Sequence, residues 1–204
     1  MNIFVLDKNI EKCAKFHCDQ HVVKMILESV QMLCTVLNKK GISTPYKPTH
    51  INHPCVLWVE QSFDNFSWFK NLTILLNHEY RFRFEKEADH KSVSVLHEIW
   101  HYNYENLGLT EFAQAMPEKY KVPENPIKAY RQFYLGEKMA FAKWTKRSVP
   151  YWVRNSYRIW IQFRHTALFT GGLMTEETLF ARLTKDGVQG GFRKFSISFQ
   201  LFSW

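Results

Sequence analysis

Apolar and polar positions follow a helical period along most of this chain. From Asp19 to about Lys39, Val22, Ile26, Val30, Leu33 and Leu37 recur at spacings of four and three, the stripe of an amphipathic helix, with Val23, Leu27 and Cys34 widening it. Asp19 marks its start and Gly41 its close. Residues 3–6 are apolar or β-branched and read as extended, and Asp7 is placed to cap a short helix over about 8–16. Pro45 and Pro48 make 41–53 a loop, after which Pro54 suits the first position of a long helix to about Phe84 carrying Trp58, Phe63, Phe66, Trp68 and Phe69. A helix over about 86–102, a connection punctuated by Gly108, Pro117 and Pro123, and a helix opened by Asn125-Pro126 and running to about Lys146 follow. After about residue 155 the character changes: Gly171-Gly172 and Gly190-Gly191 bracket a helical candidate from Thr175, and Phe195 to Leu201 alternates like a strand. The pattern predicts a mainly α protein: one compact all-helical domain over 1–154 with a short extended N-terminus, then a divergent C-terminal segment, 155–204, to which no role is assigned.

Composition adds a partner class. The chain has 204 residues, of which 46% are hydrophobic, as suits a globular domain. Lys and Arg outnumber Asp and Glu by 27 to 19, a formal charge of +8. Such a surplus suits nucleic acid or another polyanion, although a solvated basic face on an ordinary enzyme has the same composition. The apolar N-terminal run lacks a basic region before it and a small-residue cleavage site, and no stretch approaches the roughly 18–20 apolar residues of a membrane helix. The expectation is a cytoplasmic protein with no membrane partner. Cys13, Cys18, Cys34 and Cys55 lack the spacing of a disulfide framework, and with His17, His21, His50 and His53 they form no zinc-ligand pattern, so neither metal nor cofactor is expected.

Opposite the apolar stripe, the helix from Asp19 carries a narrow polar strip: His21, Lys24, Glu28, Gln31 and Thr35. Periodicity alone reads this as a solvated face with a Lys24–Glu28 pair worth a few tenths of a kcal/mol. The residues themselves say more. Asp19-Gln20-His21 followed by Glu28 resembles the start of the pyrimidine-dimer DNA glycosylases, the endonuclease V type of T-even phages, where the same tripeptide precedes the essential Glu at the same spacing. Asn52-His53-Pro54 with Trp58 behind it is similar to that family's second block. Pro117 to Lys121, Gly136-Glu137-Lys138 and Pro150-Tyr151-Trp152 are similar to its C-terminal block. The likeness covers about residues 1–154.

The resemblance implies an all-α fold and a DNA glycosylase with abasic-site lyase activity on a pyrimidine lesion or modified base in double-stranded DNA, in a DNA-repair and phage-encoded setting. In that family the N-terminal amine attacks the sugar carbon of a flipped nucleotide, a Schiff base forms, and β-elimination nicks the strand. An α-amine, with a reference pKa of about 7.7–8.0, offers a neutral nucleophile at cellular pH that an ordinary lysine near 10.4 does not. Glu28 would stabilise the cationic sugar and move protons. Here Asn2 follows the initiator Met, which is usually kept before so bulky a residue, so the catalytic set is Glu28 with Met1 or Asn2 as bearer of the amine. The N-terminus is longer than in the phage enzyme by residues placed around Glu11 to Phe16, and the arginines flanking its Glu are replaced by Leu27 and Lys24. Two alternatives therefore stay open: an enzyme acting on modified bases or nucleotides without strand cleavage, and a non-catalytic DNA-binding or host-interaction protein.

Candidate DNA contacts come from two places. His21 and His53 are candidates through hydrogen bonds to phosphate or to Glu28, and Lys24 supplies the positive charge near Glu28. From Lys119 to Arg164 basic residues interleave with aromatics, where cations neutralise phosphates and rings stack on bases; Lys128, Arg131, Lys138, Lys143, Lys146, Arg147 and Trp152 are the candidates.

Overall fold

The structure, a computed structural model, describes residues 1–158. Among them the fold is all-α: α1 (Ile10–Phe16), α2 (Asp19–Lys39), α3 (Pro54–Gln61), α4 (Phe63–Phe84), α5 (Ser92–Glu98) and α6 (Pro126–Glu137), with a 3-10 turn at Glu118–Tyr120 and helical backbone again over 151–158. The helical candidate after Thr175 and the strand-like stretch from Phe195 lie outside the described residues. No helix among those described is long and apolar enough to cross a membrane.

The core is organised on α2, which packs against α3, α4 and α5, while α1 lies on α4. Its stripe of Val22, Ile26, Val30, Leu33 and Leu37 is fully buried, and each such side chain stabilises the fold by roughly 1.5–3 kcal/mol. The opposite strip is not the solvated face that periodicity suggests. His21 and Thr35 are buried and Glu28 nearly so, because the N-terminal segment and the 41–53 loop cover that side. Solvent instead meets the sector between the two, at Gln20, Val23, Lys24 and Leu27.

Several boundaries differ from the periodic reading, each for a local reason. Asn9 rather than Asp7 caps α1, its side chain accepting from the Lys12 N–H, because Asp7 pairs with Arg131. The long helix from Pro54 is two, divided at Ser62, whose Oγ accepts from the N–H groups of Asp64 and Leu107. The helix expected over 86–102 shrinks to Ser92–Glu98, since the preceding residues bond to α4: Asn77 donates to Asp89 and accepts from the His90 N–H. The helix opened by Asn125 and Pro126 stops at Glu137 instead of Lys146. Residues beyond it cap α2: the Asp19 N–H donates to the Lys143 carbonyl at 2.8 Å, the Asp19 carboxylate accepts from the Thr145 N–H and hydroxyl, and Trp144 Nε1 donates to the Phe16 carbonyl.

Candidate active site

The first residues of the chain are its least conventional part. Ile3, Phe4, Val5 and Leu6 are buried without being helical or paired in a sheet, so their backbone polar groups need other partners. Side chains supply them. The Ile3 N–H donates to Asn2 Oδ1, Cys13 Sγ sits 3.3 Å from both the Phe4 carbonyl and the Leu6 N–H, and Arg131 Nε donates to the Leu6 carbonyl. Phe4 stacks on His21 at 4.3 Å between ring centres and meets the edges of Tyr130 and Tyr134. The segment thus runs between α2 and α6. The residues from Glu11 to Phe16 form most of α1, which meets the N-terminal segment through Cys13.

The path ends at Glu28. The Met1 amine stands 3.5 Å from Glu28 Oε2, with the Met1 side chain 5% exposed and that of Glu28 13%; Lys24 Nζ lies 3.3 Å from Oε1 on the solvent side. A third group arrives from the 41–53 loop. The Thr35 hydroxyl, one of the strip residues, accepts from the Thr49 N–H at 3.1 Å, docking the loop on α2. The loop then delivers His53, which caps α3 with Nδ1 accepting from the Cys55 N–H. Because Nδ1 accepts, the proton of the neutral ring belongs on Nε2. Burial lowers the His53 pKa, helped by the positive charges of the terminal amine and His50, while Glu28 acts against them. His53 therefore shares the electrostatic surroundings of the amine and the carboxylate.

No family model, curated protein or solved structure matches this chain.

The other expected site residues divide by burial and pairing. His21 does not bond Glu28. Its Nδ1 is 2.6 Å from the Tyr134 hydroxyl, which accepts from the Cys18 N–H and so turns its own proton toward the imidazole. Burial pushes His21 down to about 3, with the charges of His17, Lys138 and Lys24 adding to the effect, so it is a neutral member of the aromatic core at pH 7. Arg131 is held by Asp7, the Leu6 carbonyl and the Tyr151 hydroxyl, over the rings of Tyr151 and Trp152. Arg147 grips the buried Glu79, and Lys146 pairs with Glu85. Trp152 is buried against Phe16 and Tyr134, leaving Tyr151 as the exposed ring of that corner. Lys128 and Lys143 are exposed and make no ion pair among the described residues; Lys138 lies over the Phe133 ring.

The 117–121 and 136–138 stretches meet. The Tyr120 ring lies on Gly136, where an added Cβ would fall 2.2 Å from its hydroxyl, and that hydroxyl donates to Glu137. Lys119 pairs with Glu137 at 3.1 Å. Among the described residues no group of three or more His, Cys, Asp or Glu side chains is arranged to hold a metal ion, and the cysteines are free and buried. Tyr130, which bonds Asn2 near the amine, is a site residue that sequence reasoning misses: an interior tyrosine on an amphipathic helix has the pattern of core.

Proposed function

We propose that the protein is a DNA glycosylase with abasic-site lyase activity, acting on a pyrimidine lesion or modified base through the Met1 amine and Glu28. One observation carries the reading: the terminal amine, which in most chains frays into solvent, is drawn through a buried segment to 3.5 Å from the carboxylate that the Asp19-Gln20-His21 motif singles out. In this reading the neutral amine attacks C1′ of the sugar, the glycosidic C1′–N bond breaks, and the base leaves with the electron pair and takes up a proton as the amine gives one up. At an abasic site it adds to the aldehyde and water leaves, giving an iminium; a base then takes a C2′ proton and the 3′ phosphate departs. Glu28 stabilises the cationic carbon and relays the protons, and His53 adds a neutral imidazole to the same electrostatic surroundings.

The DNA track that supports this reading is narrower than the basic composition implies. Arg131, Lys146 and Arg147 are held by Asp7, Glu85 and Glu79, whereas Lys143 is exposed with no ion pair among the described residues, Lys24 pairs with Glu28 from a 68% exposed position and Lys138 lies over the Phe133 ring, all near the N-terminal half of α2. Replacing Lys24, Lys138 or Lys143 with Gln is expected to weaken binding to all duplexes alike and to lower the salt slope by about one for each phosphate no longer neutralised. Titration of each variant from low to high salt checks this; a sequence-selective loss or an unaltered slope removes that lysine from the track.

The direct test is borohydride trapping on an abasic-site duplex and a UV-irradiated duplex, with the adduct mapped by mass spectrometry. The expected product is DNA-derived sugar on the N-terminal peptide. An adduct on Lys24 would move the nucleophile to that side chain, and no adduct on either duplex would overturn the proposal.

A further inference from the structure

The amine needs something to hold it, and the ion pair with Glu28 does this poorly. At 3.5 Å it is longer than the roughly 2.7–2.9 Å of a charge-assisted hydrogen bond. The bonds of the next side chain have ordinary lengths. Asn2 Nδ2 donates to the Ala115 carbonyl at 2.8 Å, and Asn2 Oδ1 accepts from the Ile3 N–H at 2.8 Å and lies 3.0 Å from the Tyr130 hydroxyl. That hydroxyl is itself fixed: it is 2.7 Å from the Ala113 carbonyl and accepts from the Ala115 N–H. Cys55 Sγ, at the start of α3, is 3.8 Å from the same Asn2 oxygen. One carboxamide therefore joins the N-terminal segment, the 113–115 stretch, α3 and α6.

We infer that Asn2 is a positioning residue for the terminal amine, clamped through Ala115 and Tyr130 so that Met1 is presented to Glu28 without a tight ion pair; this rests on the amine-nucleophile reading. With the Asn2 side chain and the Ile3 N–H fixed, rotation within Met1 is the main freedom left to the amine. The residue type is selective. Asp is similar in shape but cannot donate to the Ala115 carbonyl. Leu fills comparable space and forms none of the bonds. Both are bulky enough that the initiator Met is kept, as before Asn.

Asn2→Leu and Asn2→Asp, each with its N-terminal mass verified and its unfolding temperature measured, provide the test, and Tyr130→Phe removes only the hydroxyl should either fail to fold. On an abasic duplex the rate of the trapped adduct at saturating DNA is expected to fall by about tenfold to 10²-fold, the scale of a misplaced reacting group, with the duplex Kd unchanged. Tyr130→Phe is expected to fall in the same sense by less. A second readout needs no DNA: reductive alkylation by a small aldehyde with cyanoborohydride, in which amine and aldehyde condense with loss of water and hydride reduces the imine. Wild-type Met1 is expected to label more slowly than the terminus of a Met-Asn-Ile peptide, and Asn2→Leu at the peptide's rate. A folded Asn2→Leu protein with the wild-type adduct rate overturns the positioning role and leaves the lyase reading intact. No wild-type adduct on DNA, with Met1 labelling still governed by Asn2, overturns the lyase reading and leaves the positioning role.

Discussion

Replacing Glu28 with Gln is expected to slow cleavage at an abasic site by about 10²–10⁴-fold, the usual contribution of a positioned acid–base group. Gln has nearly the same shape and still offers an oxygen to the Met1 amine, so the substitution removes charge and proton capacity and little else. Lys24, 68% exposed, loses a partner whose contribution is small beside solvent. The unfolding temperature is therefore expected to move little while the rate collapses, and duplex binding should persist or tighten slightly as a negative charge leaves the site. Single-turnover cleavage with a parallel melting curve separates these effects. A folded Glu28→Gln protein that cleaves at the wild-type rate would remove Glu28 from the chemistry.

How much of the fold is legible in the sequence depends on the range of the interaction. The α2 helix is, from Asp19 to Lys39, because its stripe is periodic and its ends carry local signals. The Asn125-Pro126 start is legible for the same reason. Ser62 also has a local signature, Ser followed two residues later by Asp64, but the continuous aromatic run across it reads as one helix. The early end of α6 has no such signature. It follows from Asp19 recruiting Lys143 and Thr145, an interaction between distant parts of the chain that no local pattern encodes. The basic candidates show the same limit. Composition counts Arg131, Lys146 and Arg147 as positive surface, and only the fold shows that Asp7, Glu85 and Glu79 occupy them.

For the site, the residue types are readable and their convergence is not. The Asp19-Gln20-His21 spacing points to Glu28 but places His21 beside it, whereas the fold turns that imidazole inward onto Phe4 and Tyr134. Thr35 and Gln31 have the pattern of solvated positions, yet Thr35 is where the His53 loop docks. The return of the N-terminus depends on α1, on burial of Ile3 to Leu6, and on the Asn2 clamp together.

The largest effect on stability is expected at Glu79, away from the site. Its carboxylate is 5% exposed and receives Arg83 Nε at 2.9 Å and Arg147 through two nitrogens. Arg83, with its side chain fully buried, continues to Asp19 and to the carbonyls of Lys15 and His17, so the network ties α4 to the α1–α2 junction and to the 138–149 segment that caps α2. Glu79→Ala leaves Arg83 buried with its charge less compensated, which costs about 3–5 kcal/mol. For a chain of this size that is a fall of roughly 6–20 °C in unfolding temperature. The pH dependence has a definite sign. Burial raises the Glu79 pKa, but the hydrogen bonds and charges of Arg147 and Arg83 outweigh it, leaving the folded value below the ordinary one. A depressed folded pKa gives stability that is complete above the unfolded value, about 4.3, and is lost as pH falls through the folded value. The gap in unfolding temperature between wild type and Glu79→Gln should consequently be widest near neutrality and close as pH drops below about 4.3. A gap that stays constant from neutral to acid pH would show that shape, not charge, is what Glu79 contributes, and a wild-type unfolding temperature in Glu79→Ala would show that the network is dispensable.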